Sequence, residues 1–209
     1  MKRIAFFISL LGIAAGRFAT AQHTLDLETG RVIADRMDVA IPGDTGSRLS
    51  LTDDLKAEDT VSFRLRYGYS FAQNHWLGVL AAPLTVESKG VLNREIDFNG
   101  TVFPAGTAVD STFRFDSYRL IYRYLVHESD RWEFRFGAAL KVRDAAIRLE
   151  GGGWKSQKNN TGLVPLLSFH LAWKPSENWR VILDGEALAA SLGRAEDALL
   201  AAQYRVHPR

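Results

Sequence analysis

Ser168 and His170 have the residue types of a nucleophile and its general base. They lie two apart in Leu167-Ser168-Phe169-His170-Leu171, so on a strand both side chains point the same way. Neighbours at i and i+2 on a strand stand roughly 6–7 Å apart, too far for the direct hydrogen bond that activates a serine. The pair therefore reads as two polar residues filling a polar face. Gly151-Gly152-Gly153-Trp154-Lys155-Ser156 has the lysine and serine of a phosphate loop, but Trp154 stands where a glycine must precede the lysine. Gln157-Lys158-Asn159-Asn160 and then a strand pattern follow, where a helix should begin, so the segment reads as an external hairpin tip. Asp53, Asp54, Glu58 and Asp59 are acidic enough to attract calcium but lack the spacing of a dedicated calcium loop. His23, His75, His127 and His207 fall singly at strand ends or turns. No catalytic, metal or cofactor site is expected.

The larger chemical signal is a set of charges placed at alternate positions. In Ser62-Phe63-Arg64-Leu65-Arg66-Tyr67-Gly68-Tyr69-Ser70-Phe71, odd positions are apolar or aromatic and even ones are Ser, Arg or Gly. A period of two means a strand with two unlike faces. The charged face continues through Arg119, Arg123, Glu133, Arg135, Lys141, Arg143, Asp184, Glu186, Asp197 and Arg205, with Gln203 among them. The pattern suggests a barrel with its apolar side toward lipid and its charges inward. The interior of a barrel of about eight strands is just wide enough for side chains to fill. Charges there must pair, because isolated ones lose too much hydration. A structural network of Arg–carboxylate pairs plugging the lumen is expected, with bidentate arginine geometry favoured. The alternative is a narrow ion or solute path. It would favour anions, since arginines outnumber carboxylates.

The elements that must hold these charges repeat the alternation. Trp132, Phe134, Phe136, Ala138, Leu140 and Val142 form one stripe, and Leu163, Pro165, Leu167, Phe169, Leu171 and Trp173 another. Trp179, Val181, Leu183 and Gly185 form a further stripe, as do Ala198, Leu200, Ala202 and Tyr204, and Leu25 with Leu27 marks a weaker first strand. Trp76, Leu80, Ala82, Leu84 and Val86 are expected as the apolar stripe of the third. Between Phe113, Phe115 and Tyr118, Leu120, Tyr122, Tyr124 the phase slips. That predicts either a β-bulge near Asp116-Ser117 or a membrane segment beginning only at Tyr118. About eight strands follow: 23–33, 60–72, 75–88, 111–126, 131–149, 161–174, 178–190 and 195–207. Short connections at Ala72–His75, His127–Arg131 and Lys174–Asn178 alternate with longer ones at Ala34–Asp59, Lys89–Asp110 and Gly151–Asn160. Ala190–Arg194 is short where a long one is due. Outer-membrane barrels have short periplasmic turns and long external loops. Phe71, Trp76, Tyr124, Trp132, Trp173, Trp179 and Tyr204 lie beside the short turns, as an aromatic girdle at one membrane–water boundary would.

Targeting agrees. Lys2 and Arg3, the apolar run Ile4–Ala15 and Ala19-Thr20-Ala21 before Gln22 read as a secretory signal over residues 1–21, leaving a barrel domain over 22–209. The run has about 12 residues, short of the roughly 20 of a spanning helix. Loss of Lys2, Arg3 and Arg17 lowers the 26 basic residues to 23 against 24 acids, so no nucleic-acid footprint remains. The absence of cysteine excludes a disulfide scaffold, a thiolate metal site and a lipoprotein anchor.

Over about residues 22–207, the signal, alternating strands, aromatic belt and unequal connections resemble those of the small bacterial outer-membrane β-barrels, broadly the outer-membrane protein A and W types. The resemblance implies an all-β, membrane-spanning, antiparallel up-and-down β-barrel of about eight strands in the outer membrane of a Gram-negative bacterium. It implies a structural or interaction role without catalysis. The expected partners are outer-membrane lipid, lipopolysaccharide, the barrel-assembly machinery and an external partner not specified. Ile41-Pro42-Gly43-Asp44-Thr45-Gly46 and the stretch from Arg143 to Gly152 look like signatures of such a group, with no chemistry assigned. Outer-membrane lipid-modifying enzymes with a Ser–His pair place histidine before serine, the reverse of the order here. Such barrels usually end in a closing aromatic, whereas this chain ends Tyr204-Arg205-Val206-His207-Pro208-Arg209. Truncation of a ten-stranded barrel is the expectation that follows. A soluble lipocalin-like calyx, with the aromatic stripe turned inward, is the reading from a different class.

Overall fold

β-Branched and aromatic residues dominate the alternating segments, and these suit the pleated surface of a sheet. The computed structural model describes residues 23–43, 45–190 and 193–206, with side chains omitted over 189–195. The signal and cleavage site expected over residues 1–21, Asp44 and the residues beyond Val206 lie outside them. The described residues are all-β: β1 His23–Val32, β2 Asp38–Val39, β3 Leu49–Ser50, β4 Lys56–Ala57, β5 Thr60–Phe71, β6 His75–Ala82, β7 Thr85–Val91, β8 Ile96–Phe98, β9 Thr101–Phe103, β10 Ala108–Glu128, β11 Trp132–Gly151, β12 Trp154–Trp173, β13 Trp179–Ala190 and β14 Gly193–Tyr204.

The main sheet runs β1-β5-β6-β10-β11-β12-β13-β14, every neighbour antiparallel, which is the strand order of an up-and-down barrel. β7 continues the line of β6 along β10 and carries β4 on its other edge. Side-chain contacts show how far the sheet curls. Arg64 on β5 lies 3.4 Å from Asp197 on β14. With strands spaced about 4.8 Å apart, a flat sheet would hold these two roughly 29 Å from each other. The sheet therefore bends round until one face encloses an interior. Among the described residues no ladder joins β1 to β14, so the ring is traced by side chains across that seam.

Register assigns the faces. On β10 the odd residues Phe113, Phe115, Arg119, Ile121 and Arg123 share the concave face, and Tyr118, Leu120, Tyr122 and Tyr124 the convex one. The pairing with β11 runs unbroken from Asp110↔Glu150 to Leu125↔Arg135 and shifts only between Leu125 and His127. The bulge expected near Asp116-Ser117 is therefore corrected. The phase of hydrophobicity changes because Phe113 and Phe115 fill the upper interior, not because the strand slips. The stripe assigned to the third strand is corrected as well. Trp76 faces Arg123 and Leu80 faces Arg119 across the ladder, which puts Trp76, Leu80 and Ala82 inside and Leu77, Val79 and Ala81 outside. Both faces of β6 are apolar, so periodicity alone had no contrast to read there. The long connection expected at Gly151–Asn160 is a tight hairpin. β11 and β12 pair up to Gly151↔Trp154, and Gly152 and Gly153 turn at φ +58° and +88°, the left-handed pair of a type I′ turn.

Two separate cores result. Leu80, Ile121, Ala139 and Leu166 pack inside the ring, with Trp76, Ala82, Val164 and Leu188 against them. At the long-loop end, Leu49, Leu51, Leu55, Leu92, Ile96, Phe98, Phe103, Val109 and Leu149 form a second core between the two long loops and the projecting β10–β11–β12 strands.

Candidate functional site

The concave face gathers arginines and carboxylates from strands far apart in the sheet. Arg123 Nη1 and Nη2 donate to the two oxygens of Asp184 at 2.6 and 2.9 Å, a bidentate pair, and Nη2 also reaches Glu186 at 3.2 Å. Its Nε donates to Ser168 Oγ at 2.8 Å. Arg119 donates to Glu186 and to Asp197, and its Nε to Ser117 Oγ at 3.1 Å. Arg66 lies 3.4 Å from Asp184, and Arg64 3.6 Å from Glu28. Arg119, Arg123, Asp184 and Glu186 are each no more than 5 % exposed. Charges so far from water persist only because each finds a partner of opposite sign.

Nearer the short-turn end a second group forms round Glu133, which accepts from Arg135 at 2.8 Å and from Arg180. Lys141, opposite Arg119 across the ladder, adjoins the first group near Glu186 and Asp197, and Arg143 sits further toward the long loops. Lys141 Nζ lies 5.0 Å from the centre of the Phe115 ring, and Arg143 Nη2 donates to Asn160 Oδ1 at 2.6 Å. Arg205 is corrected as a member: it lies beyond the last residue of β14, exposed, with its amide bonded to Asn178. The alternation that placed it inside does not hold once the strand has ended.

Three participants escaped the sequence reading. Glu28 sits on the weak first strand, and Arg180 is in phase with Asp184 and Glu186, a signal that was there to use. Trp76, expected in the girdle, stands inside with Arg123 5.3 Å from its ring centre. A Cβ at Gly68 or Gly78 would collide with its indole, so these glycines make the seat for the ring. Ser168 and His170 are not bonded to each other. His170 Nδ1 pairs with Asp184 at 2.8 Å, and Ser168 is wholly buried with its oxygen taken by Arg123 and Glu186. This serine is held in the ionic mesh, out of reach of the histidine and of solvent.

The convex face near the short turns carries the remaining girdle residues. His23, Tyr67, Tyr69, Phe71, His75, Tyr122 and Tyr124 form a chain of ring contacts, Trp132 stacks on Trp173 at 6.2 Å, and Trp179 meets Tyr204 at 5.1 Å. Above this belt Phe63, Leu65, Val79, Leu120, Leu140, Leu163, Leu167 and Leu200 are exposed, an apolar surface unsuited to water.

At the opposite end, the two long loops lock together. Asn99 N donates to Ile41 O at 2.7 Å and Ser47 N to Asp97 O at 2.9 Å, while within the first loop Gly46 N donates to Pro42 O at 2.7 Å. A Cβ at Gly46 would run into the Ile41 backbone, so only glycine lets the turn close this tightly. Ile41–Pro42 is a cis peptide bond. Arg94 clamps Asp54 at 3.0 and 2.9 Å, and these hydrogen bonds hold the Asp54 carboxyl below the usual carboxylate range. Between Ile41-Pro42-Gly43 and the inner face of β10–β12 lies a cleft of about 400 Å³. The two stretches that the sequence left without chemistry therefore meet at one place.

No family model matches the chain, and no curated protein matches it. Among solved structures, it is similar to Ail, the attachment invasion locus protein of Yersinia pestis. The likeness is at 13% identity over 87% of this chain and 96% of that one, with TM-scores of 0.46 for Ail in complex with the heparin analogue sucrose octasulfate and 0.44 for Ail alone. Identity at this level carries no residue-by-residue correspondence.

Proposed function

We propose that the chain is an outer-membrane β-barrel protein of a Gram-negative bacterium, exported by its signal, that serves as an interaction scaffold at the cell's outer face. The observation that carries this reading is the pairing of an exposed apolar convex band, edged by aromatic rings, with a concave face filled by paired charges. In water that arrangement would be inside out. In a bilayer it is the low-energy one, since lipid accepts the aliphatic band and the interior shields the ions. A soluble calyx would turn Leu65 and Tyr67 inward, and here they face out.

Outer-membrane lipid would cover the band and lipopolysaccharide its outer rim, with insertion by the barrel-assembly machinery. The loops, stiffened by their own core, would present a fixed external surface. The Arg119, Arg123, Asp184 and Glu186 cluster supports a closed lumen over a solute path. Cysteine probes at positions 65 and 66 test the orientation. A lipid-phase quencher should dim a fluorophore at position 65 and leave one at 66 bright; the reverse would end the proposal. In planar bilayers the purified protein should give no discrete conductance steps, and regular steps would restore the pore.

A further inference from the structure

We infer that the cleft between Ile41-Pro42-Gly43 and the inner face of β10–β12 binds a free small molecule with an apolar body and one anionic group. The inference rests on the external placement of the loops proposed above and names the ligand class of that face. At about 400 Å³ the space falls within the roughly 300–1,000 Å³ of small-molecule sites, toward the lower end.

Its floor is made of two cross-strand rows fixed by register, Phe113–Ile147–Lys158 and, beside it, Ala145–Asn160, a row that Phe115 begins outside the cleft. Both rows run apolar on β10 and β11 and end in a polar side chain on β12. The wall opposite is Ile41 and Pro42. A ligand is thereby oriented, its apolar body against β10, β11 and the loop, and its polar end against β12.

The polar end has a definite sign. Asn160 Oδ1 already accepts from Arg143, which leaves the amide NH₂ of Asn160 as the group offered to the cleft. Lys158, two residues away on the same face, adds an ammonium. Asn99 gives one N–H of its amide to Gln157 O and keeps its oxygen and a second N–H. Among the described residues no carboxylate lines the cleft. Two donors, one of them charged, with Arg143 behind, suit a carboxylate at the end of a short apolar chain. Carbohydrate recognition would call for donors and acceptors distributed round the cleft, whereas the floor here is apolar on β10 and β11 and polar only on β12.

The test uses the full chain in lipid nanodiscs, with 4-phenylbutyrate as probe, its amide as the neutral control and empty discs as the blank, read by saturation-transfer NMR. The acid should bind saturably and the amide about tenfold more weakly, the difference a charge-assisted hydrogen bond makes. Lys158→Gln should bring the two within about twofold, while Ala145→Phe should abolish binding of both. If Ala145→Phe fails to fold, Lys158→Gln alone decides. Absence of saturable binding, equal binding of acid and amide by the unaltered protein, or an undiminished preference in Lys158→Gln would each overturn the inference. Labelling of Lys158→Cys on intact cells by a membrane-impermeant maleimide separates the failures. Labelled cells with no ligand binding refute the site alone, whereas unlabelled cells refute the external placement and the site with it.

Discussion

The interior of the sheet and the cap above it are both buried, by opposite chemistry. Inside the ring, Arg119, Arg123, Asp184 and Glu186 are shut away from solvent in a mesh of ion pairs. In the cap, Leu49, Leu51, Ile96, Phe98, Phe103 and Leu149 are buried against one another. The difference follows from what surrounds each part. In the proposed orientation water surrounds the cap, so expelling apolar surface drives its packing. The band below would then turn its apolar residues to lipid, and the interior is what remains for the polar half of each strand. Even there the wall formed by β6, β10, β11 and β12 contributes Leu80, Ile121, Ala139 and Leu166, and it is Arg119 and Arg123 that reach from that wall to the carboxylates on β13 and β14.

The sharpest way to break the contrast is Asp184→Ala. It strips Arg123 of its bidentate partner and leaves Arg66 and His170 facing a gap, and a buried charge deprived of its partner costs about 3–5 kcal/mol. The urea midpoint of the heat-modifiable gel form should fall accordingly, with the cap's protease resistance retained until the barrel opens. Asp197→Ala should cost less, because the Asp197 side chain is 26% exposed and water can replace part of what is lost. Equal losses for the two would mean that burial does not set the strength of this network.

Phe98→Ala attacks the other core. Truncating a buried phenylalanine costs about 3–5 kcal/mol, but here the loss should fall on the cap. Trypsin should then cut after Arg48 or Arg94, while heat-modifiable gel mobility stays unchanged. If Phe98→Ala lowers the barrel midpoint as much as Asp184→Ala does, the two cores are one cooperative unit and the comparison fails.

How much of this was legible varied from strand to strand. β5 and β11 could be read directly, since Arg64 and Arg66 alternate with Leu65 and Tyr67, and Glu133 and Arg135 with Phe134 and Phe136. β6 could not, because Trp76 and Leu80 on one face look no different from Leu77 and Val79 on the other. What distinguishes them is the pair of glycines, Gly68 and Gly78, that makes room for an indole inside, and only pairing shows that these are neighbours. The cap was illegible for a related reason: its core joins Leu49, Phe98 and Leu149 from three separate segments. Its strands have two or three residues each, too short for any period to register. The Ile41-Pro42-Gly43 stretch stood out as a sequence but had no meaning until Asn99 was found bonded to Ile41.

Gly78→Ala sharpens the border between ionic and apolar walls. The added methyl would displace the Trp76 ring from above Arg123, an overpacking cost of about 1–3 kcal/mol. Trp76→Leu in the same background should recover part of it, as seen in the unfolding midpoint. No recovery would mean that the glycine serves the backbone, not the ring.

The smallest effect belongs to pH, and it should appear in the cap. Asp54 is held below its ordinary 3.8 by the Arg94 guanidinium and by the Ser50 amide, which donates to it at 3.0 Å. A carboxyl whose folded pKa lies below its unfolded one gives its full contribution above the unfolded value and loses it as pH falls through the folded value. Cap stability should therefore be level from neutral pH to about 4 and decline below that, as followed by urea titration of a fluorophore at Lys56→Cys. Asp54→Asn should lower the plateau and flatten the decline, since a neutral amide keeps some hydrogen bonding but has no proton to take up. Asp38, bonded to Arg36 and Arg48, is also held below 3.8, but both arginines are at least half exposed, and screening by water leaves these pairs little weight. An undiminished acid decline in Asp54→Asn would move the titrating group elsewhere in the loops and remove Asp54 as the clamp that joins them.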